Sequence, residues 1–206
     1  MKIENIKPTD IEKRSFEIIT QILGDRKFDP VNEPIIKRAI HTSADFDYAD
    51  NLYFSEGVVE KIKEAIRNGA TIVTDTNMAY SGINKAKLAS FGCEAHCFIA
   101  DEDVRKIAVE RGVTRAIISM EKACSLTTPV IFAIGNAPTA LLKIKELAEE
   151  KKVNIAAVIG VPVGFVNVVE SKEQIINTDL NVIVARGRKG GSNIAAAIVN
   201  AVLYSM

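Results

Sequence analysis

Two kinds of apolar pattern alternate along the chain. In one, apolar residues recur three or four positions apart; in the other, they form a short unbroken run rich in β-branched side chains. Asp10 to Leu23 is of the first kind, with Ile11, Phe16, Ile18, Ile19 and Ile22 as a stripe and Gly24 as the stop. A second helix opens at Pro34, where proline suits the first turn, and carries Ile35, Ile36, Ala39 and Ile40 on one side. It runs out near His41 into an acid-bearing segment that reaches Asp50. Ser55 reads as the N-cap of a helix over Glu56 to Arg67, stopped by Asn68-Gly69.

Ala70 to Thr74 is the first buried strand, and it opens into a polar loop, DTNMAYSG. A helix over Asn84 to Phe91, a strand over Glu94 to Ala100 and a helix from Asp101 to Arg111 follow. Thr114 to Ser125 fits helix or strand, with Arg115, Glu121 and Lys122 favouring helix. Three more strands, Pro129 to Ile134, Ile155 to Ile159 and Val182 to Ala185, each run into a glycine-bearing loop. Pro138 and a residue near Ser171 start the helices after the first two of these. The last helix, Ile194 to Tyr204, is apolar on most sides and belongs in the core or at a subunit interface.

This alternation predicts a parallel sheet covered on both faces, a three-layer doubly wound α/β fold. Residues 1–206 fit one domain. Ligands of such sheets bind beyond the carboxyl ends of the strands. DTNMAYSG, GNAPTA, GVPVGF and RGRKGGSN all lie at those ends and are rich in glycine and polar residues. The amides opening the helix at Pro138 are placed to receive a carboxylate or phosphate. RGRKGGSN, the most basic cluster, is either a solvated turn or an anion-receiving loop.

Composition narrows the function. Lysine plus arginine and aspartate plus glutamate both number 26, and no basic run or aromatic-basic interleaving suggests nucleic acid. The start, MKIENIKPTD, has no apolar region of a signal peptide, and no apolar run is long enough for a membrane span. Three cysteines, Cys93, Cys97 and Cys124, without a framework spacing suit reduced thiols and a cytoplasmic location. In CEAHC, a strand would send Cys93 and Cys97 to one side and His96 to the other, so no metal site is expected. The glycine spacings match neither a dinucleotide fingerprint nor a phosphate-binding P-loop, which argues against a nucleotide-dependent enzyme.

His41 and Arg38 lie three residues apart and share a face of the helix end. An imidazole beside an arginine there can move a proton near a bound anion, or it can simply cap the helix. The surrounding segment, RAIHTSADFDYA, resembles the active-site signature of the precorrin-8X methylmutases, including the cobalt-precorrin-8 enzymes of vitamin B12 synthesis. IEKRSFEII (11–19), AIGNAPTAL (133–141), GVPVGFVNVVESK (160–172) and ARGRKGGSN (185–193) resemble the same family in the same order.

The resemblance implies a flavodoxin-like fold with strand order 2-1-3-4-5 and migration of a methyl group from C-11 to C-12 of a corrin-type tetrapyrrole. His41 would be the acid that protonates the ring for a [1,5]-sigmatropic shift, and Ser15 and Arg38 would contact substrate. Arg115 and Lys172 are added to that set as partners for its carboxylates. No cofactor is implied, since any cobalt travels in the substrate. A homodimer and hand-over of a tightly held product to the next enzyme are the implied partnerships. The competing reading is a flavodoxin-like module that binds or carries a corrinoid or flavin without chemistry.

Overall fold

The structure is a computed structural model that describes residues 4–206, so the first three residues of the polar start and of the expected domain lie outside it. Helix α1 spans Ile11–Leu23, α2 spans Glu33–Ser43 and α3 spans Tyr48–Asn51, which leads directly into strand β1, Leu52–Phe54. Then come α4 (Val58–Arg67), β2 (Thr71–Thr74), α5 (Asn77–Gly82), α6 (Lys85–Ala89) and β3 (Ala95–His96). Two helices, α7 (Glu102–Arg111) and α8 (Arg115–Lys122), precede β4 (Val130–Ile134), α9 (Pro138–Glu149) and β5 (Ile155–Gly160). The chain ends with α10 (Val168–Ile176), β6 (Val182–Ala185) and α11 (Ser192–Tyr204).

All six strands join one sheet in the order β1-β6-β5-β4-β2-β3. β1 runs antiparallel to β6, and every other pair is parallel. The expected order of five strands is therefore corrected: a sixth strand closes one edge. With β1 set aside, the strands from the β3 edge inward are the second, first, third, fourth and fifth parallel strands of the chain.

Alternation along each strand divides the core in two. Ile72, Ile131, Ile159 and Ile183 point to the layer of α1, α2, α4, α5 and α11, where Ile36, Ile40, Ile62 and Ile198 meet them. Val73, Phe132, Ile134, Val158 and Val184 point to the layer of α8, α9 and α10, against Met120, Leu141 and Ile175. Each such buried apolar side chain contributes roughly 1.5–3 kcal/mol. α11 is the innermost helix, with ten buried residues, because its alanines let it lie close to the sheet and to α2. Its place is the core, as one of the two expected sites had it.

Three local expectations fail. DTNMAYSG is largely helical, because the Thr76 hydroxyl accepts the Ala79 amide at 3.1 Å and caps α5. The strand expected over Glu94 to Ala100 shrinks to two residues, since only Ala95 and His96 find partners on β2. The turn at Ser55 does not cap its helix through the hydroxyl, which instead accepts the Val182 amide at 2.8 Å and ties the β1 end to β6.

Candidate active site

α1 and α2 pack together and bring three of the expected residues into one region. His41 sits in the last turn of α2, exposed, before Ala44 closes the helix in a left-handed conformation with its amide on the Ile40 carbonyl. Its imidazole stacks on the Phe16 ring of α1, with centroids 5.1 Å apart and planes 12° apart. No hydrogen bond engages either imidazole nitrogen among the described residues, so both ring edges are open to a ligand.

Arg38, one turn earlier, lies with its guanidinium 4.8 Å from the Phe16 centroid and 5.5 Å from that of Tyr204. It donates to Glu12 of α1, so its orientation is set by a carboxylate and two aromatic faces. Ser15 follows Glu12 by three residues on the same face of α1. Its hydroxyl donates to the Ile11 carbonyl at 2.9 Å, which leaves its oxygen lone pairs for a donor from outside.

Two hollows flank Arg38 and Tyr204. One, of about 440 Å³, reaches Phe16, Glu33 and Lys37; the other, of about 330 Å³, reaches Thr42, Met78, Asn193 and Asn200. The second lies between α2, α5 and α11 and runs along α11 from Asn193 to Tyr204. Met78, on this second hollow, is 70% exposed, and Phe165, in the loop after β5, is 83% exposed. A large flat ligand with an apolar body meets suitable surface there.

Arg115 is apart from this group, at the start of α8, with a single 3.4 Å hydrogen bond to the Ile99 carbonyl. It is available for a carboxylate, but the structure does not bring it to His41. Lys172 is a correction. It is fully buried on α10, and its ammonium donates to the carbonyls of Gly187 and Lys189, both at 2.8 Å. An ammonium so enclosed cannot reach a substrate carboxylate, and burial pushes its pKa down to about 8.

The anion site expected at the start of α9 is also corrected, because the protein fills it itself. Asp75, at the end of β2 and 1% exposed, accepts the amides of Gly135, Asn136 and Ala137 at 2.9, 2.8 and 2.7 Å. Burial pushes its carboxyl up, and the three amides oppose that shift. The same loop is closed from the other side. A Cβ on Gly135 would stand 2.5 Å from Ser192 Cα, and the Ser192 hydroxyl bonds that of Thr76 at 2.7 Å. The sequence reading missed Asp75; an acid directly after an apolar strand, with a glycine-bearing loop on the neighbouring strand, was the available signal.

The basic loop is half committed. Lys189 bridges Asp45 and Asp47, both at 2.6 Å, and its hydrogen bond holds the Asp45 carboxyl below the usual carboxylate range. Arg186 lies over Tyr53 and 3.6 Å from Glu173. Arg188 is exposed and makes no ion pair among the described residues. In CEAHC, Cys93 is buried on the Ile66 carbonyl, while His96 stacks on Phe98 and lies 3.4 Å from Glu94. Structural packing accounts for both residues.

The profile of the precorrin-8X methylmutase family matches residues 10–205. Two relatives named cobalt-precorrin-8 methylmutase are similar over nearly the whole chain. That of Salmonella typhimurium is 45% identical, covering 97% of this chain and 96% of the relative. That of Priestia megaterium is 42% identical, covering 96% and 88%. A solved structure described as precorrin-8x methyl mutase from Thermus thermophilus superposes with a TM-score of 0.85 at 38% identity, covering 95% of this chain and 96% of that one. With the family matched from α1 to α11, the chain belongs to the precorrin-8X methylmutases and is an isomerase of cobalamin biosynthesis.

Proposed function

We propose that the chain acts on cobalt-precorrin-8, moving a methyl group from C-11 to C-12 to give cobyrinic acid, with His41 as the acid. The C-11–methyl bond breaks as the C-12–methyl bond forms, and the proton lent by His41 to the ring returns to it. Nothing is oxidised or reduced, so the reaction needs no cofactor, and the cobalt belongs to the substrate. The observation that carries the mechanism is His41 held flat on Phe16 with both nitrogens open, beside Arg38. Imidazole suits the role because either ring nitrogen can carry and release a proton. The cobalt form is favoured because the two relatives at 42–45% identity carry that name.

Arg38, Ser15 and Arg115 are proposed as contacts for the ring's polar fringe, with Arg188 added from the structure. The order of the parallel strands supports reading the sheet as flavodoxin-like with an extra antiparallel edge. Neither hollow beside Arg38 would enclose a corrin alone, and α1 exposes Ile11 and Ile22 on one side at 54% and 61%. Both features support a homodimer, testable by light scattering on the purified protein. Substrate and product differ by one methyl position, so tight product binding and hand-over to the next enzyme are part of the same reading. No described helix is long and apolar enough to cross a membrane, and a cytoplasmic location is proposed on composition.

The test is anaerobic incubation with cobalt-precorrin-8 and, separately, with precorrin-8X, followed by absorbance and mass. A changed spectrum at unchanged mass, faster with the cobalt ring, is expected. A faster metal-free reaction would reverse the substrate assignment. Binding without spectral change would favour a carrier.

A further inference from the structure

We propose that Lys172 is a positioning residue for the methyl shift: from beneath the loop after β6 it fixes the backbone of residues 187–189, so that Lys189 can anchor the segment that ends the His41 helix. The proposal rests on the reading of that helix end as the catalytic one.

Packing alone does not explain this lysine. A methionine would fill the same volume without the cost of burying an ammonium. No carboxylate pairs with the Lys172 ammonium among the described residues. Its partners are two carbonyl oxygens two residues apart in one loop, Gly187 and Lys189, at 2.8 Å each. Charge-assisted bonds of this kind are stronger than neutral ones, and here both are spent on loop geometry.

The loop so held is pinned on its other side as well. The Arg188 carbonyl accepts the Gly164 amide at 3.1 Å, and the Gly191 amide donates to Val161 at 2.9 Å. Gly190 packs so closely on the Val161 carbonyl that a Cβ would overlap it. From this frame the Lys189 side chain reaches Asp45 and Asp47, the first acids after the left-handed turn at Ala44. The connection therefore runs from Lys172 through the loop backbone to Lys189, to Asp45 and Asp47, and so to the last turn of α2. Arg186 and Arg188 leave the same backbone, so their presentation depends on it too.

The experiment compares Lys172→Met, Lys189→Met and the double variant, with wild type and His41→Ala assayed in parallel, each first checked for cooperative urea unfolding. Lys172→Met is expected to fold and to lose about tenfold or more in kcat/KM, the scale of one charge-assisted hydrogen bond. Because Lys172 acts through Lys189, the double variant should be scarcely worse than Lys172→Met, whereas independent structural effects would add. Wild-type kinetics for a folded Lys172→Met, or additive losses, would overturn the proposal. If Lys172→Met does not fold, the exposed Lys189→Met decides: a loss supports the link and unchanged kcat and KM overturn it. Full activity of His41→Ala would instead remove the catalytic reading and leave the loop effects to be judged by KM.

Discussion

The imidazole of His41 lies against the Phe16 ring, centroids 5.1 Å apart and planes 12° apart, joining the end of α2 to the middle of α1. The stack fixes the imidazole plane while leaving its nitrogens at the rim. Arg38 uses the same phenyl ring, so one apolar side chain orients the imidazole and its neighbouring cation. Phe16→Leu keeps the apolar volume and removes the stack. The stack is worth about 0.5–1.5 kcal/mol, so the unfolding free energy should fall by about that much, and kcat should fall with it as the imidazole loses its fixed plane. Steady-state kinetics on the variant check this.

Asp75 holds three amides of the loop that opens α9. Asp75→Asn retains one oxygen and turns an amide NH₂ toward donors, leaving buried groups unpaired. A loss of roughly 1–3 kcal/mol in unfolding free energy is expected from urea titration. A neutral result would mean that the loop holds its shape without the carboxylate.

Lys172 makes stability depend on pH in an alkaline window. Its folded pKa, pushed down to about 8, lies below the ordinary lysine value of 10.5. Between those values the unfolded chain keeps a proton that the folded chain has lost, so this residue's contribution to stability rises with pH. Below about pH 8 both states are protonated and the burial penalty is complete. The unfolding free energy of wild type minus that of Lys172→Met should therefore increase from pH 8 to pH 10.5. A flat difference would mean that the ammonium is less enclosed than its position indicates.

Elements that bury a whole face or strand could be read from sequence, because their apolar pattern is the cause of their structure. Val130–Ile134 and Val182–Ala185 are continuous apolar runs, and α2 announces itself with Pro34 and a one-sided stripe. β1 could not be read. Leu52, Tyr53 and Phe54 are all half-buried, and their strand exists only because β6 offers an antiparallel partner. β3 failed in the opposite sense, since an apolar run is no strand where the neighbouring strand has ended. Ser15, Arg38 and His41 were picked out through their resemblance to the family signature, and the structure gathers them where α1 meets α2. Asp75 and Lys172 act through backbone atoms of distant loops, and no spacing in the chain records such contacts.

The most direct test of the account is turnover by His41→Ala, measured anaerobically alongside its affinity for product. The variant should unfold as cooperatively as wild type, bind product with similar affinity, and lose about 10²–10⁴-fold in kcat, the usual contribution of a general acid. Turnover equal to wild type would contradict the central claim and place the proton source elsewhere in the site.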